Sequence, residues 1–267
     1  MNDLLFSALE AIYGDAAPDQ VDRYEDALAA FRRAYGPGPV TIFRSPGRVN
    51  LIGEHTDYNH GYVMPAALDK DVVLVARERG DREVRLANVE PDFPQRNFAV
   101  SAAIDPAPNG DWSNYARGAA QELARTLGGD VLGFDGLVSS VAPLGVPRGA
   151  GVSSSSALTV VMSVALAHFR PADTVHHRNG TLLLRTPNGM WVPMAASWTS
   201  SSPCKDSALH ALFLDCRPVD RRIPPRSHPL APEYRLLVVN SGVHHANVRN
   251  EFNQRGRSLR RRGDPAP

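Results

Sequence analysis

A loop rich in glycine and serine that opens directly into an apolar helix constrains the fold of this chain more than any other feature. The loop runs from Pro147 to Leu158 and reads Pro-Arg-Gly-Ala-Gly-Val-Ser-Ser-Ser-Ser-Ala-Leu. A strand is predicted at 133–141 before it, and a long apolar helix from about Ser154 to Phe169. Glycine lets a backbone approach phosphates closely, and a helix N-terminus offers unpaired N–H groups. The loop is therefore a candidate phosphate site, with a simple turn and helix cap as the alternative.

Hydrophobic periodicity predicts further helices and strands along the chain. The predicted helices span 20–35 and 112–127, and the predicted strands span 40–43, 72–76, 83–87 and 234–240. An ordered element, not assigned as helix or strand, is predicted at 210–216. Residues 170–208 hold neither a helical nor a strand period over a sustained stretch. Because strands alternate with helices elsewhere, the pattern favours an α/β or α+β fold.

The composition excludes several classes of function. With 267 residues and a formal net charge of +1, the chain has no general attraction to nucleic acid or to an anionic membrane. No apolar run reaches the roughly 18 residues of a membrane span, and the first residues lack the pattern of a signal peptide. Cys204 and Cys216 fit neither a disulfide framework nor a zinc site. We therefore expect a cytoplasmic, monomeric protein whose partner is a small soluble molecule.

A second dense group of polar residues lies at 46–59 and reads Pro-Gly-Arg-Val-Asn-Leu-Ile-Gly-Glu-His-Thr-Asp-Tyr-Asn. Arg48 precedes a short apolar stretch, and Glu54, His55 and Asp57 follow it. Carboxylates accept hydrogen bonds from two sugar hydroxyls at once, and an arginine stabilises phosphate charge. The segment is therefore a candidate hexose site beside a phosphoryl group. A charged surface turn is the alternative interpretation.

Two motifs, in this order along the chain, resemble those of one family. Residues 46–59, extended through Gly61, Val63 and Pro65, resemble the galactokinase signature. The loop at 147–158 is similar to the ATP loop of GHMP kinases, the superfamily that contains galactokinases. It is neither a Walker A loop nor a dinucleotide-binding loop. The chain is thus identified as a member of the galactokinase family.

The resemblance covers about residues 20–169 and 208–255 and implies a fold and a reaction. The fold is the α+β, two-domain GHMP kinase fold, with an S5-like N-terminal domain and a ferredoxin-like C-terminal domain that is incomplete here. The expected parts are a sugar- and ATP-binding domain at 1–169, an aberrant segment at 170–208, and the start of a truncated C-terminal domain at 209–267. The implied reaction makes galactose 1-phosphate from galactose and ATP, with Mg²⁺ neutralising phosphate charge.

The resemblance also implies roles for single residues. Contacts to sugar hydroxyls fall to Glu54, His55 and Asp57, and Arg48 would lie beside the transferred phosphoryl group as the catalytic stabiliser of its charge. Contacts to ATP fall to Gly149, Gly151, Ser153, Ser154 and Ser155, with the Ser155 hydroxyl also a ligand for Mg²⁺. A third, weaker match at 111–118 implies that Trp112 stacks near adenine. An aromatic anchor in the core is the equal alternative for Trp112.

The family's catalytic-aspartate segment, Gly-Ile-Met-Asp-Gln, does not occur in this sequence, and the surroundings of Asp206 do not match it. Our hypothesis for this gap is that residues from about 170 to 208 are translated in a shifted frame. The last base of the Trp198 codon and the first two of the Thr199 codon spell GAC, which encodes aspartate. Codons permitted around it spell the missing segment. We therefore predict that this chain lacks the aspartate that accepts the sugar hydroxyl proton and is inactive.

The remaining chain carries weaker signals. Residues 240–245 and 250–253 resemble the family's second sugar-side region, with Phe252 where the family has a tyrosine. The pair His176-His177 suggests a metal site but has no third ligand at a sensible spacing. The arginine-rich tail at 255–262 suggests nucleic-acid binding, and we favour a solvated or out-of-frame tail.

Two alternative functions stay open from the sequence. One is a non-catalytic sensor that binds sugar and ATP. The other is a kinase for a related sugar, such as arabinose or N-acetylgalactosamine.

Overall fold

A computed structural model describes residues 3–127, 131–169, 181–185, 191–195, 210–217, 225–231, 233 and 237–239. The helices are α1 Asp3–Tyr13, α2 Ala17–Tyr35, α3 Ser113–Leu127 and α4 Ser154–His168. The strands are β1 Thr41–Asn50, β2 Tyr62–Val63, β3 Pro65–Glu78, β4 Glu83–Asn88, β5 Arg96–Ala99, β6 Phe134–Ser139, β7 Thr181–Arg185, β8 Trp191–Ala195, β9 His210–Asp215 and β10 Arg226–Pro229. Short 3-10 helices lie at Gly14–Ala16 and Asp57–Asn59.

Helix α2 confirms the helix predicted at 20–35 and begins three residues earlier. Tyr24, Ala27 and Phe31 recur at helical spacing and are almost fully buried, so one face of the helix is apolar. The helix ends at Gly36, whose φ of 81° suits glycine and whose N–H donates to the carbonyl of Arg32 over 2.9 Å.

The chain forms two compact units whose segments alternate in the sequence. One unit comprises Met1–Gly47, Asp69–Pro147 and Ser154–His177, and the other comprises Arg48–Leu68, Arg148–Ser153 and Arg178–Pro267. The expected division at 1–169, 170–208 and 209–267 follows the order of the sequence instead, and it stays a prediction.

The first unit holds a sheet in the order β3, β6, β4, β5. Strand β6 pairs antiparallel with β3 and parallel with β4, so it lies between them. The strands predicted at 72–76 and 83–87 are confirmed, but they do not pair with each other. Every residue of β6 is buried, because it has strand neighbours on both sides and helices against the sheet.

The core of this unit lies between α2 and the sheet. Ala27 and Phe31 of α2 pack with Val75, Ala87 and Leu137, which come from β3, β4 and β6. A second buried cluster adds α1, and its members are Leu9, Ala17, Tyr24 and Val73. Burying the larger of these side chains, the valines, leucines and Phe31, contributes on the order of 2 kcal/mol each. Helices α3 and α4 pack against each other, and both confirm predicted helices.

The second unit is built around β9, which lies where the sequence predicts that order returns, at 210–216. Strand β9 pairs antiparallel with β10 and with β2, and Ala211 lies opposite Ala66 of β3. Its Phe213 ring stacks on the ring of Tyr62 in β2, with 5.2 Å between the ring centroids. This pairing holds residues 61–63 in place.

Residues 170–208 hold no sustained period in the sequence, yet β7 and β8 form an antiparallel pair there. Strand pairing supplies the hydrogen bonds that a period does not reveal. The strand predicted at 234–240 is not found at 237–239, the part of it that is described. Leu237 is 87% exposed, so these residues have neither a paired strand nor an apolar surface to hold them extended.

Within the described ranges, no helix is both long and apolar enough to cross a bilayer. The cytoplasmic location and the monomeric state stay predictions.

Candidate sugar and phosphate site

Strand β1 carries the predicted stabiliser, Arg48, near its end. Arg48 is half-buried, and burial lowers the pKa of its guanidinium. The charges of Asp57, Glu54 and Cys216 act in the opposite direction and raise it. The second unit therefore brings the predicted arginine into electrostatic range of two of the three predicted sugar-binding residues. Carboxylates can accept hydrogen bonds from sugar hydroxyls, and a guanidinium can donate to phosphoryl oxygens, so this segment supplies both kinds of group.

The third predicted sugar residue, His55, lies in the same loop. It is exposed, and its φ of 63° places it in the left-handed region that side chains other than glycine rarely adopt. The side-chain amide of Asn59 donates to the His55 carbonyl over 2.7 Å. Such backbone strain occurs more often at functional sites.

The base of this loop is closed by a short antiparallel connection. The N–H of Leu51 donates to the Met64 carbonyl over 2.9 Å, and the N–H of Met64 donates back to Ile52 over 3.0 Å. The Asn50 side chain accepts a further bond from the Met64 N–H at 3.1 Å. Residues 53–62 thus form a loop with a fixed base.

The glycine- and serine-rich loop has backbone dihedral angles that suit an anion site. Gly149, Gly151 and Ser153 have φ values of 66°, 75° and 63°, so every second residue lies in the left-handed region. Alternation of this kind turns successive N–H groups toward one side, which makes a concave site for anions. A methyl group added to Gly151 would meet no atom within 4 Å, so the space beside it is open. The loop then leads into α4 at Ser154.

The sugar segment and the phosphate loop are joined by their backbones. The N–H of Arg48 donates to the carbonyl of Val152 over 3.2 Å. Both residues belong to the second unit. The structure therefore brings together the two motifs that the sequence singles out, although about 90 residues separate them.

The serines after the loop begin α4. Ser154 and Ser155 are half-buried, and the Ser155 carbonyl accepts a bond from the Thr159 hydroxyl at 2.9 Å. The Ser155 hydroxyl could serve as one oxygen ligand to a hard cation such as Mg²⁺, which takes most of its other ligands from phosphates and water. In the described ranges, no three His, Cys, Asp or Glu side chains are grouped to hold a metal by themselves.

Trp112 is placed as an anchor of the first unit. It is only 7% exposed, its indole N–H donates to the Pro94 carbonyl over 3.1 Å, and its ring meets Phe93 edge-on at 5.8 Å. These contacts match the alternative of a core aromatic. Stacking on adenine stays a prediction.

Three residues near the site were not singled out from the sequence in this role. The N–H of Cys216 donates to the Gly61 carbonyl over 2.9 Å, which places that thiol in range of Arg48. Asn50 and Thr56 hold the loop from inside. Asn50 and Thr56 lie within the signature segment at 46–59, so a sequence pattern marks their position. Cys216 required the pairing of β9 with β2, which no local pattern reveals.

Comparison with known proteins agrees with this arrangement. The family model for the galactokinase galactose-binding signature matches residues 29–78, and the model for the GHMP kinases N terminal domain matches residues 114–179. A galactokinase of Streptomyces coelicolor is 37% identical over 227 residues, which cover 84% of this chain and 56% of that protein. A galactokinase of Chloroflexus aggregans is 36% identical over 228 residues, covering 85% and 55%.

A solved structure gives the same result. The crystal structure of Lactococcus lactis galactokinase complexed with galactose matches with a TM-score of 0.57 and 27% identity, covering 75% of this chain and 50% of that one. The α+β GHMP kinase fold expected from the sequence is confirmed. The chain spans about half the length of the curated relatives it matches.

Proposed function

Because this chain belongs to the galactokinase family of GHMP kinases, we propose that its site is built for the ATP-dependent phosphorylation of galactose to galactose 1-phosphate. We propose further that the chain with this sequence binds both substrates but does not turn galactose over. One observation supports a single site for both substrates: the backbone hydrogen bond from Arg48 to Val152 joins the sugar segment to the phosphate loop. Phosphoryl transfer depends mainly on such positioning of acceptor and donor.

In this proposal, one group of residues binds galactose and another binds ATP. Glu54 and Asp57 accept hydrogen bonds from galactose hydroxyls, and His55 adds a polar contact. The N–H groups of the loop around Gly149 and Gly151 bind ATP phosphates. Arg48 meets the transferred phosphoryl group, whose charge grows on its outer oxygens as the reaction proceeds. Galactose is thereby held with one hydroxyl facing the phosphoryl group.

A magnesium ion, when bound with ATP, would neutralise charge on the phosphates, and the Ser155 hydroxyl is the protein oxygen assigned to it. Adenine stacking is assigned to Trp112 by family resemblance alone. The Trp112 indole N–H is already bonded to Pro94, so only its ring face could contribute.

In this proposal the chain has no aspartate to accept the proton of the attacking galactose hydroxyl, because the family's aspartate segment does not occur in its sequence. The family's aspartate belongs to the segment expected at 170–208, most of which lies outside the described residues, as do His176-His177, Phe252 and the tail at 255–262. The shifted-frame hypothesis is tested directly by the nucleotide sequence over codons 165–210. A TCA codon for Ser197 is required for the hidden methionine, and any other codon overturns that part of it.

Substrate binding and turnover are tested separately. Calorimetry should show galactose binding and binding of a non-hydrolysable ATP analogue, while an assay for galactose 1-phosphate should show no product. Asp57→Asn should weaken galactose binding, whereas Asp69→Asn, which changes an exposed carboxylate of the other unit, should not. Arabinose and N-acetylgalactosamine as competitors test the sugar class.

The outcomes distinguish the candidate functions. A folded chain that binds no galactose overturns the assigned site, and turnover at an ordinary rate overturns the claim of inactivity. A chain with the aspartate segment restored in frame should form galactose 1-phosphate. If the restored chain binds galactose and ATP but forms no product, the protein is a sensor and the kinase proposal is wrong.

A further inference from the structure

The loop that carries Glu54, His55 and Asp57 is closed from inside by the side chain of a residue between them. The Thr56 hydroxyl oxygen lies 2.6 Å from the carbonyl oxygen of Gly53 and 2.6 Å from that of Tyr62. Its single proton is donated to one carbonyl at a time. The hydroxyl therefore touches the first and the last residue of the loop.

The backbone of Thr56 adds bonds in the same region. Its N–H donates to the Gly53 carbonyl over 3.2 Å, and its carbonyl accepts from the N–H of Gly61 at 2.8 Å and of Asn59 at 3.1 Å. One residue thus connects both ends of the loop and the 3-10 turn at Asp57–Asn59.

The two glycines of the loop leave room for this arrangement. A methyl group on Gly53, whose φ is 103°, would collide with the Tyr62 carbonyl and lie 3.0 Å from the Thr56 hydroxyl. A methyl group on Gly61 would lie 2.9 Å from the Thr56 side-chain carbon. The backbone is packed around this side chain, so its position fixes the loop.

We propose that Thr56 is the positioning residue of the sugar site, whose hydroxyl holds Glu54, His55 and Asp57 in the geometry that galactose requires. The inference rests on the proposed function, since it concerns the same site. Glu54 and Asp57 act on Arg48 only if the loop keeps this shape, and His55 has a strained backbone that must be held by its surroundings. Thr56 touches no substrate in this proposal and acts through its neighbours.

The test compares variants that differ by the hydroxyl alone. Thr56→Ser keeps the hydroxyl and Thr56→Ala removes it, so the ratio of their galactose affinities isolates its effect. The matched control is Thr126→Ala, since the Thr126 hydroxyl also bonds a carbonyl, that of Glu122 at 2.8 Å in α3. Calorimetry with galactose and, separately, with a non-hydrolysable ATP analogue gives both affinities, and a thermal melt shows that each variant is folded.

Galactose binding should weaken about tenfold in Thr56→Ala, the loss expected for roughly one hydrogen bond that orders a site. Affinity for the ATP analogue should stay unchanged, and Thr56→Ser and Thr126→Ala should bind galactose as the wild type does. Thr56→Val provides a second variant without the hydroxyl if Thr56→Ala does not fold.

Two results overturn the inference while leaving the proposed function intact. One is equal galactose affinity in Thr56→Ala and Thr56→Ser. The other is a loss of ATP-analogue affinity in Thr56→Ala as large as its loss of galactose affinity, which would mark a general loss of structure. A folded wild type that binds no galactose overturns the proposed function itself, and the inference with it.

Discussion

The carboxylate of Asp71 accepts a hydrogen bond of 2.8 Å from Nη1 of Arg23, although 48 residues separate them in sequence. The Asp71 side chain is fully buried, and its other oxygen accepts from Arg44 at 2.8 Å and from the Tyr13 hydroxyl at 2.6 Å. Burial, with the Asp71 charge, raises the pKa of Tyr13, which therefore stays a donor. One carboxylate thus joins α1, α2, β1 and β3.

Replacing this carboxylate should be costly for the first unit. In Asp71→Asn, two buried or half-buried guanidinium groups lose their counter-charge, so we expect the free energy of unfolding to fall by roughly 3–5 kcal/mol. Urea unfolding followed by circular dichroism measures it. The control is Asp69→Asn, whose carboxylate is 81% exposed and lies 3.6 Å from Lys70. It should change stability by less than about 0.5 kcal/mol, and equal losses in both variants would contradict the prediction.

The start of α3 should make stability depend on acid pH. Burial alone would raise the pKa of Asp111, but hydrogen bonds from Arg96 and Ser113 lower it to about 2. A depressed folded-state pKa stabilises the fold above the unfolded value, and the contribution is lost as pH falls toward 2. We expect Asp111→Asn to be less stable than the wild type by roughly 2 kcal/mol at pH 7 and by little near pH 2.

Denaturant unfolding between pH 7 and pH 2 tests whether the stability difference between Asp111→Asn and the wild type disappears as the pH falls. Asp105→Asn is the matched control, since Asp105 is exposed in the segment that precedes α3. Its difference from the wild type should stay near zero at every pH. A constant difference for Asp111→Asn across the range would show that the carboxylate does not titrate as described.

The phosphate loop should be sensitive to a single methyl group at Gly151. Its φ of 75° makes alanine strained by about 1 kcal/mol, and the methyl would fill open space beside the loop's N–H groups. We expect Gly151→Ala to bind a non-hydrolysable ATP analogue roughly tenfold more weakly, which is about 1.4 kcal/mol. Galactose affinity should stay near that of the wild type.

Gly110→Ala is a control that introduces the same kind of backbone strain at a position outside the phosphate loop. Its φ is 90°, and a methyl there would also meet nothing within 4 Å. Gly110→Ala should lose as much stability as Gly151→Ala without any change in affinity for the analogue. Equal affinities for the analogue in both variants would rule out phosphate binding by this loop.

Local patterns accounted for much of this protein. The apolar stripe of α2 and the apolar run of α4 could both be predicted, because each depends on residues close in sequence. The two motifs were also local: glycines at 149 and 151 allow positive φ wherever the loop lies. Family membership followed from these segments.

Partners distant in sequence could not be predicted in the same way. Strand β6 lies between β3 and β4, and Trp112 donates to Pro94, because hydrogen bonds across a sheet or a core depend on where other elements lie. A period within one strand carries no information about its neighbours.

By itself, then, the sequence determined the family, the two motifs and the residue types that meet sugar and phosphate. Only the tertiary structure decided that Arg48 bonds the phosphate loop at Val152, and that the Thr56 hydroxyl contacts both ends of the sugar loop. The reason is physical: a side chain's chemistry is fixed by its type, whereas its hydrogen-bond partner is fixed by how the backbone around it packs.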